Sequence, residues 1–151
     1  MAQSLSKIYV HLVFSTKNHY PFINSNVKER LHSYIAGTFK NMDSPVISIN
    51  STEDHIHILF RLSRKYSLSK IIEEVKKQSS RWIKDINFGN DKFAWQKGYG
   101  AFSISSSKLE AAKKYIDNQS EHHRKKSYKE EIEDFVKHYD LDECDEKFFW
   151  S

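Results

Sequence analysis

The apolar positions of this chain change period as it runs, and the changes mark its elements. Lys7 to Ser15 (KIYVHLVFS) is rich in β-branched and aromatic residues and reads as a strand. Asn18 to Asn24 follows as a loop around Pro21. Asn26 is the expected cap of a helix from Val27 to Lys40, whose apolar side carries Val27, Leu31, Tyr34, Ile35 and Thr38 or Phe39. Ser44-Pro45 closes that region. Val46 to Ser51 and His55 to Leu62 alternate as strands about the short turn Glu53-Asp54, which predicts an antiparallel hairpin. Ser67 opens a helix to about Lys84 with the stripe Leu68, Ile71, Ile72, Val75 and Trp82. After the turn Asn87 to Asn90, Phe93 to Trp95 and Tyr99 to Ser105 predict a second hairpin around Lys97-Gly98. Ser107 is the expected cap of a helix through Gln119, with Leu109, Ala112 and Ile116 inward. A last helix, about Tyr128 to His138, precedes the aromatic end Phe148-Phe149-Trp150. The order β-α-β-β-α-β-β-α-α predicts an α+β, ferredoxin-like sandwich, a mostly antiparallel sheet covered by helices, in one domain over residues 1–151.

Composition narrows the classes. At 151 residues and 38% hydrophobic, the chain can bury a core of its own. Its four glycines and two prolines form no phosphate-cradling GxxxxGK[ST] or GxGxxG loop. One cysteine, Cys144, excludes an intramolecular disulfide and a cysteine-rich zinc site. His11 interrupts the apolar stretch Ile8 to Phe14, so the start reads as a strand rather than a leader, and no run is long enough for a membrane span. The expectation is a soluble, cytoplasmic protein with no membrane partner. Charge is lopsided. Residues 130–151 hold nine acids against Lys137 and Lys147, while the rest of the chain is strongly basic. A basic body suits a polyanion, and the acidic tail reads as a solvated helix.

Two short patterns carry chemistry. On the strand His55 to Leu62, side chains alternate, so Ile56, Ile58, Phe60 and Leu62 share the core face. His55, His57, Leu59 and Arg61 share the other. Two imidazoles at i and i+2 can reach one cation. Taken alone, such a pair is more often two solvent-facing histidines. The second pattern is Tyr115 and Gln119, four apart and therefore neighbours on one helix face. The Gln119 amide oxygen is a candidate third ligand beside a tyrosine nucleophile. A phenol with a pKa near 10 is a weak nucleophile at neutral pH. A cation that polarises a phosphate makes its attack feasible, and the ester formed keeps the bond energy for resealing.

The motifs resemble one family closely. HLVFSTKNHYPFI near the start, DHIHILF at 54–60, KKQSSRW at 76–82, WQKGYGAFSIS at 95–105 and YIDNQSEHHRKKSYKEE at 115–131 resemble the insertion-sequence-200-like, single-tyrosine transposases of the HUH endonuclease superfamily. The likeness covers nearly the whole chain. It implies a homodimer in which the tyrosine helix of one subunit can complete the metal site of the other. It also implies Mg2+ or Mn2+ as cofactor and single-stranded DNA with hairpins as substrate, cleaved to a 5′-phosphotyrosine and a free 3′-OH. Related chromosomal proteins that act on repetitive palindromes share the motif.

Basic side chains flank both patterns. Arg61, Lys76, Lys77, Arg81 and Lys114 are the candidate DNA contacts, with Arg61 placed to touch the scissile phosphate and Tyr99 or Trp95 to stack on unpaired bases. His122 and His123 are more readily surface residues than ligands. Two other readings stand beside the enzyme: a nucleic-acid-binding module without cleavage, and a zinc-stabilised structural protein. A binder needs neither the tyrosine nor the ligands, and His-His-Gln is a poor structural zinc set.

Overall fold

A computed structural model describes residues 4–86, 92–119, 129–131 and 133. The elements are β1 (Tyr9–Ser15), α1 (Lys28–Asn41), β2 (Val46–Ser51), β3 (His55–Arg61), α2 (Leu68–Ile86), β4 (Gly100–Ile104) and α3 (Leu109–Asp117). The strands form one sheet in the order β2-β3-β1-β4, antiparallel throughout. Helix α1 joins β1 to β2 with β3 inserted between them, and α2 joins β3 to β4 with β1 inserted. This is the split β-α-β plan of the ferredoxin-like sandwich, as the sequence predicts.

Strand alternation divides the sheet into two faces. Val10, Leu12 and Phe14 of β1 and Ile56, Ile58 and Phe60 of β3 point to one side. There they pack on Leu31, Ile35 and Phe39 of α1 and on Ile71, Ile72 and Val75 of α2. The transfer of each such side chain from water stabilises the fold by about 1.5–3 kcal/mol. The other side is smaller. Leu59, Ile104 and Ile116 form its apolar patch, with Tyr9, Ile47, Leu109, Ala112 and Tyr115 against them. Helix α3 therefore lies on the face opposite α1 and α2, and the odd-numbered residues of β1 and β3 look toward it.

Several local expectations are corrected. Asn26 does not cap α1, which starts at Lys28 after Val27 with no side-chain cap bond. In the turn leading into it, Asn24 Oδ1 accepts from the amides of Asn26 at 3.0 Å and Val27 at 3.2 Å. Ser67 does cap α2, accepting from the Lys70 amide at 3.1 Å. Ser107 does not cap α3; residues Ser106–Lys108 form a short 3₁₀ turn that leads into it. The second hairpin does not form. Trp95 makes one isolated bridge to Thr16, and only β4 joins the sheet. Backbone bonds tie the segment to the end of β1, from the Gln96 amide to the Ser15 carbonyl and from the Lys17 amide to the Ala94 carbonyl, and side chains hold the rest. The Lys76 ammonium donates to the carbonyls of Gln96 at 2.9 Å and Gly98 at 2.7 Å, and Trp95 Nε1 donates to Ser79 Oγ at 2.9 Å. Of the last expected helix, residues 129–131 and 133 are described and helical. Its remainder, the aromatic end and Cys144 lie outside the described residues.

Candidate active site

The strand β3 places His55 and His57 on the α3 side of the sheet, where both are fully buried. Their Nε2 atoms converge. Each lies against Oε2 of Glu131, at 2.9 Å from His55 and 3.1 Å from His57. Their Nδ1 atoms point away from that centre and are held from behind. His55 Nδ1 meets Asp54 Oδ1 at 2.8 Å and Thr52 Oγ1 at 3.1 Å. His57 Nδ1 meets Nε2 of His11, from the adjacent strand β1, at 2.8 Å. Fixing one ring nitrogen leaves the other aimed at a defined point, which is how metal-binding histidines are usually oriented.

Tyr115 reaches the same point from above. Its hydroxyl donates to Glu131 Oε1 at 2.8 Å, and its ring stands edge-on to His57 with centroids 5.8 Å apart. The position of α3 is set from β2. The Asn50 side-chain amide donates to the carbonyls of Ile116 at 2.9 Å and Asp117 at 3.3 Å, closing the helix's last turn. The Ser48 hydroxyl donates to the Asp117 carboxylate, and Ile116 is fully buried beneath. The last turn, which carries Tyr115, is therefore locked to the sheet.

Gln119 departs from the expectation of one continuous helix face. Helix α3 ends at Asp117 with Asn118 as its C-cap, so Gln119 lies just past it. The residue is fully buried, yet its Oε1 and Nε2 have no hydrogen-bond partner among the described residues. A buried amide left unpaired costs about 1–3 kcal/mol. Such an orphan fits a site that takes a further ligand.

Electrostatics hold the cluster together. Burial alone would raise the Glu131 pKa, but hydrogen bonds and charge interaction with His55 and His57 outweigh it and hold the carboxyl well below the carboxylate range. Burial disfavours charge on His55 too, and its bonds to Asp54 and Glu131 reverse this, so its pKa rises. His55, His57 and Glu131 each offer a ligand atom, and these atoms lie within 4.8 Å of one another. Two imidazoles and a carboxylate around one point fit a divalent metal.

The sequence missed Glu131 and His11. Glu131 belongs to the acidic tail read as solvated, and nothing in the HxH or YxxxQ spacing leads to it. His11 did leave a signal, as a lone polar residue inside an apolar strand.

The DNA-contact candidates are scattered. Arg61 is exposed at the end of β3, four residues and roughly 13 Å along the strand from His57. Lys76 is spent on the Gln96 and Gly98 carbonyls and lies 4.9 Å over the Phe14 ring; burial lowers its pKa to about 8. Lys77 and Arg81 are exposed on α2, on the sheet face opposite the histidines. Lys114 is exposed beside Tyr115. Trp95 is core rather than a stacking platform. His122 and His123 lie outside the described residues.

Comparison with known proteins identifies the family and the fold. Residues 4–119 match the model of the family described as "Transposase IS200 like". Among solved structures, a candidate transposase of Deinococcus radiodurans R1 superposes with a TM-score of 0.63 at 18% identity, covering 79% of this chain and 98% of that one. A REP-associated tyrosine transposase bound to a REP hairpin superposes at 0.59 with 15% identity, covering 82% and 74%. At these identities the likeness is one of fold. No curated protein matches the chain in sequence. No helix among the described residues is long and apolar enough to cross a membrane.

Proposed function

Because this chain belongs to the IS200-like transposase family, we propose that it cleaves and rejoins single-stranded DNA at hairpin-bearing ends through a 5′-phosphotyrosine on Tyr115. The observation that carries the reading is the single carboxylate of Glu131, which touches both histidines and the tyrosine hydroxyl. A packed but inert sheet has no need of that junction.

His55, His57 and Glu131 would hold the metal, with the orphaned amide of Gln119 as a further donor. Bound there, a divalent cation polarises the scissile phosphate and stabilises the charge that develops in displacement. Imidazole nitrogens favour Mn2+ over Mg2+ by affinity, and the oxygen ligands suit both. Tyr115 supplies the nucleophile. Glu131 Oε1, already accepting from its hydroxyl, takes the proton as the phenolic oxygen attacks phosphorus. The P–O3′ bond breaks, and the departing 3′ oxygen takes a proton from water. In the reverse sense a 3′-OH attacks the phosphotyrosine, restoring the diester and the phenol.

Tyr115 stands beside the histidines of its own chain, which favours attack in cis. A homodimer then pairs two sites that are each complete. The edge of β4 away from β1 has no strand partner among the described residues and offers a surface for such pairing. Lys114 beside the tyrosine would hold phosphate near the chemistry. Lys7, Lys40, Arg61, Arg64 and Lys65 line a groove at the far end of β3 and would hold the hairpin at a distance; Lys77 and Arg81 would extend contact around α2. A structural neighbour is bound to a REP hairpin, which supports a hairpin as the partner here. A resident palindrome nickase would use the same site without rejoining.

The test is a denaturing gel of the full chain with labelled single-stranded hairpins, with Mn2+, Mg2+ or chelator. A metal-dependent protein–DNA band absent from Tyr115→Phe is expected. Tight DNA binding with no band under any metal would favour a non-catalytic binding module.

A further inference from the structure

We propose that His11 is a positioning residue for the metal site: its Nε2 accepts the Nδ1–H of His57, leaving the His57 Nε2 lone pair for a divalent cation. The inference rests on the functional reading above and goes beyond it, since no part of that chemistry requires His11.

The geometry is specific. In the β1–β3 ladder His11 stands opposite Leu59 and Val13 opposite His57. His11 and His57 are therefore diagonal neighbours on one face of two paired strands, with ring centroids 5.1 Å apart and a nitrogen–nitrogen contact of 2.8 Å. His11 is walled by Phe102 and Tyr115, at 6.3 and 6.2 Å, and is 2% exposed. An imidazole buried there is costly unless hydrogen-bonded, and an aliphatic residue would pack the position more cheaply. The two ligand histidines are also backed differently. His55 has the Asp54 carboxylate behind it, whereas His57 has a second imidazole.

A neutral imidazole carries one N–H, so what holds Nδ1 decides what Nε2 can do. When Glu131 Oε2 accepts the His57 Nε2–H, His57 Nδ1 accepts in turn from His11 Nε2–H. Coordination at His57 Nε2 requires the reverse. The His57 Nε2 proton leaves through Glu131 to water, the His11 Nε2 proton passes to His57 Nδ1, and His11 takes a proton from water at Nδ1. Each ring stays neutral. His11 sits buried between Phe102 and Tyr115, where a charged ring would be costly, so it serves as a neutral acceptor.

Mn2+ binding to the DNA-free full chain, followed by the electron paramagnetic resonance of free Mn2+, tests this with His11→Phe and His11→Gln. Phe keeps a ring and removes the acceptor; the Gln side-chain amide can present an acceptor near the Nε2 position. His11→Phe is expected to weaken Mn2+ binding roughly 10–100-fold, as losing an outer partner of a metal-bound histidine does, and His11→Gln to recover most of it. Ring-nitrogen NMR adds a signature: with Zn2+ as a diamagnetic probe, wild-type His57 should change from the Nε2–H to the Nδ1–H form. Wild-type affinity in His11→Phe would overturn the proposal. Equal weakening in both variants would also overturn it, because His11 would then act only through packing. A wild-type chain that binds no Mn2+ would instead remove the metal-site reading, and this inference with it.

Discussion

Replacing Glu131 by glutamine probes the junction of the site with little change in shape. The carboxylate accepts on both oxygens, from His55 and His57 on Oε2 and from Tyr115 on Oε1. An amide has one acceptor and one donor. If its oxygen faces the histidines, its NH2 meets the tyrosine hydroxyl, which can no longer donate there; turned round, it opposes the imidazole N–H groups. At least one buried bond to a charged group is lost, worth about 1.5–3 kcal/mol. For a chain of this length each kcal/mol shifts the melting temperature by about 2–4 °C, so the metal-free protein should melt roughly 3–12 °C lower. Adduct formation loses the proton acceptor for Tyr115 and should slow by about 10²–10⁴-fold. The assays are thermal unfolding in chelator and single-turnover adduct formation on a hairpin substrate at saturating Mn2+. Wild-type melting together with wild-type adduct rate would refute the reasoning. A faster reaction would refute it differently, by showing that the carboxylate keeps the metal out.

Other outcomes follow from the same geometry. Tyr115→Phe should bind Mn2+ about as well as wild type and form no covalent adduct, read on one gel and one titration. A mixture of Tyr115→Phe and His57→Ala should stay inactive if the tyrosine serves its own chain, as proposed; recovered adduct would show action in trans. Lys76→Met leaves the Gln96 and Gly98 carbonyls without their donor and should cost about 1–3 kcal/mol in urea unfolding. Its DNA affinity should keep the wild-type salt dependence, whereas Arg64→Ala should lower that slope by about one charge. Burial, then Lys28, lowers His32 from 6.5 to about 4, with Nε2 against Ser51 Oγ at 2.7 Å. A histidine depressed in the folded state destabilises when protonated, so its contribution is complete above pH 6.5 and is lost as pH falls toward 4. The loss is at most about 3.5 kcal/mol. His32→Asn should flatten stability over that range, measured by unfolding at a series of pH values.

How much of this was legible in the chain depends on the range of the interaction. Strand alternation is local, so Ile56, Ile58 and Phe60 were assigned to the core, and His55 and His57 to the opposite face, from spacing alone. The stripe Ile71, Ile72 and Val75 fixed the inward side of α2 in the same way, and the order of the elements was enough to suggest the split β-α-β sheet. What failed was decided by distant partners. Phe93 to Trp95 has the composition of a strand, but the backbone of Ala94 and Gln96 bonds to Lys17 and Ser15 at the end of β1 rather than to the segment that follows. Lys76 looked like a phosphate contact for the same reason, because no local pattern shows which carbonyls will surround an ammonium. His11 looked like an interruption until the register set it diagonally beside His57. Glu131 looked like one acid among nine until folding carried it beneath Tyr115. Residue types and their period determine which face a side chain takes. Only the pairing of β1 with β3, and the packing of α3 and the helical residues 129–131 over them, determine which polar groups meet, since a hydrogen bond needs atoms about 3 Å apart and sequence separation carries no such distance.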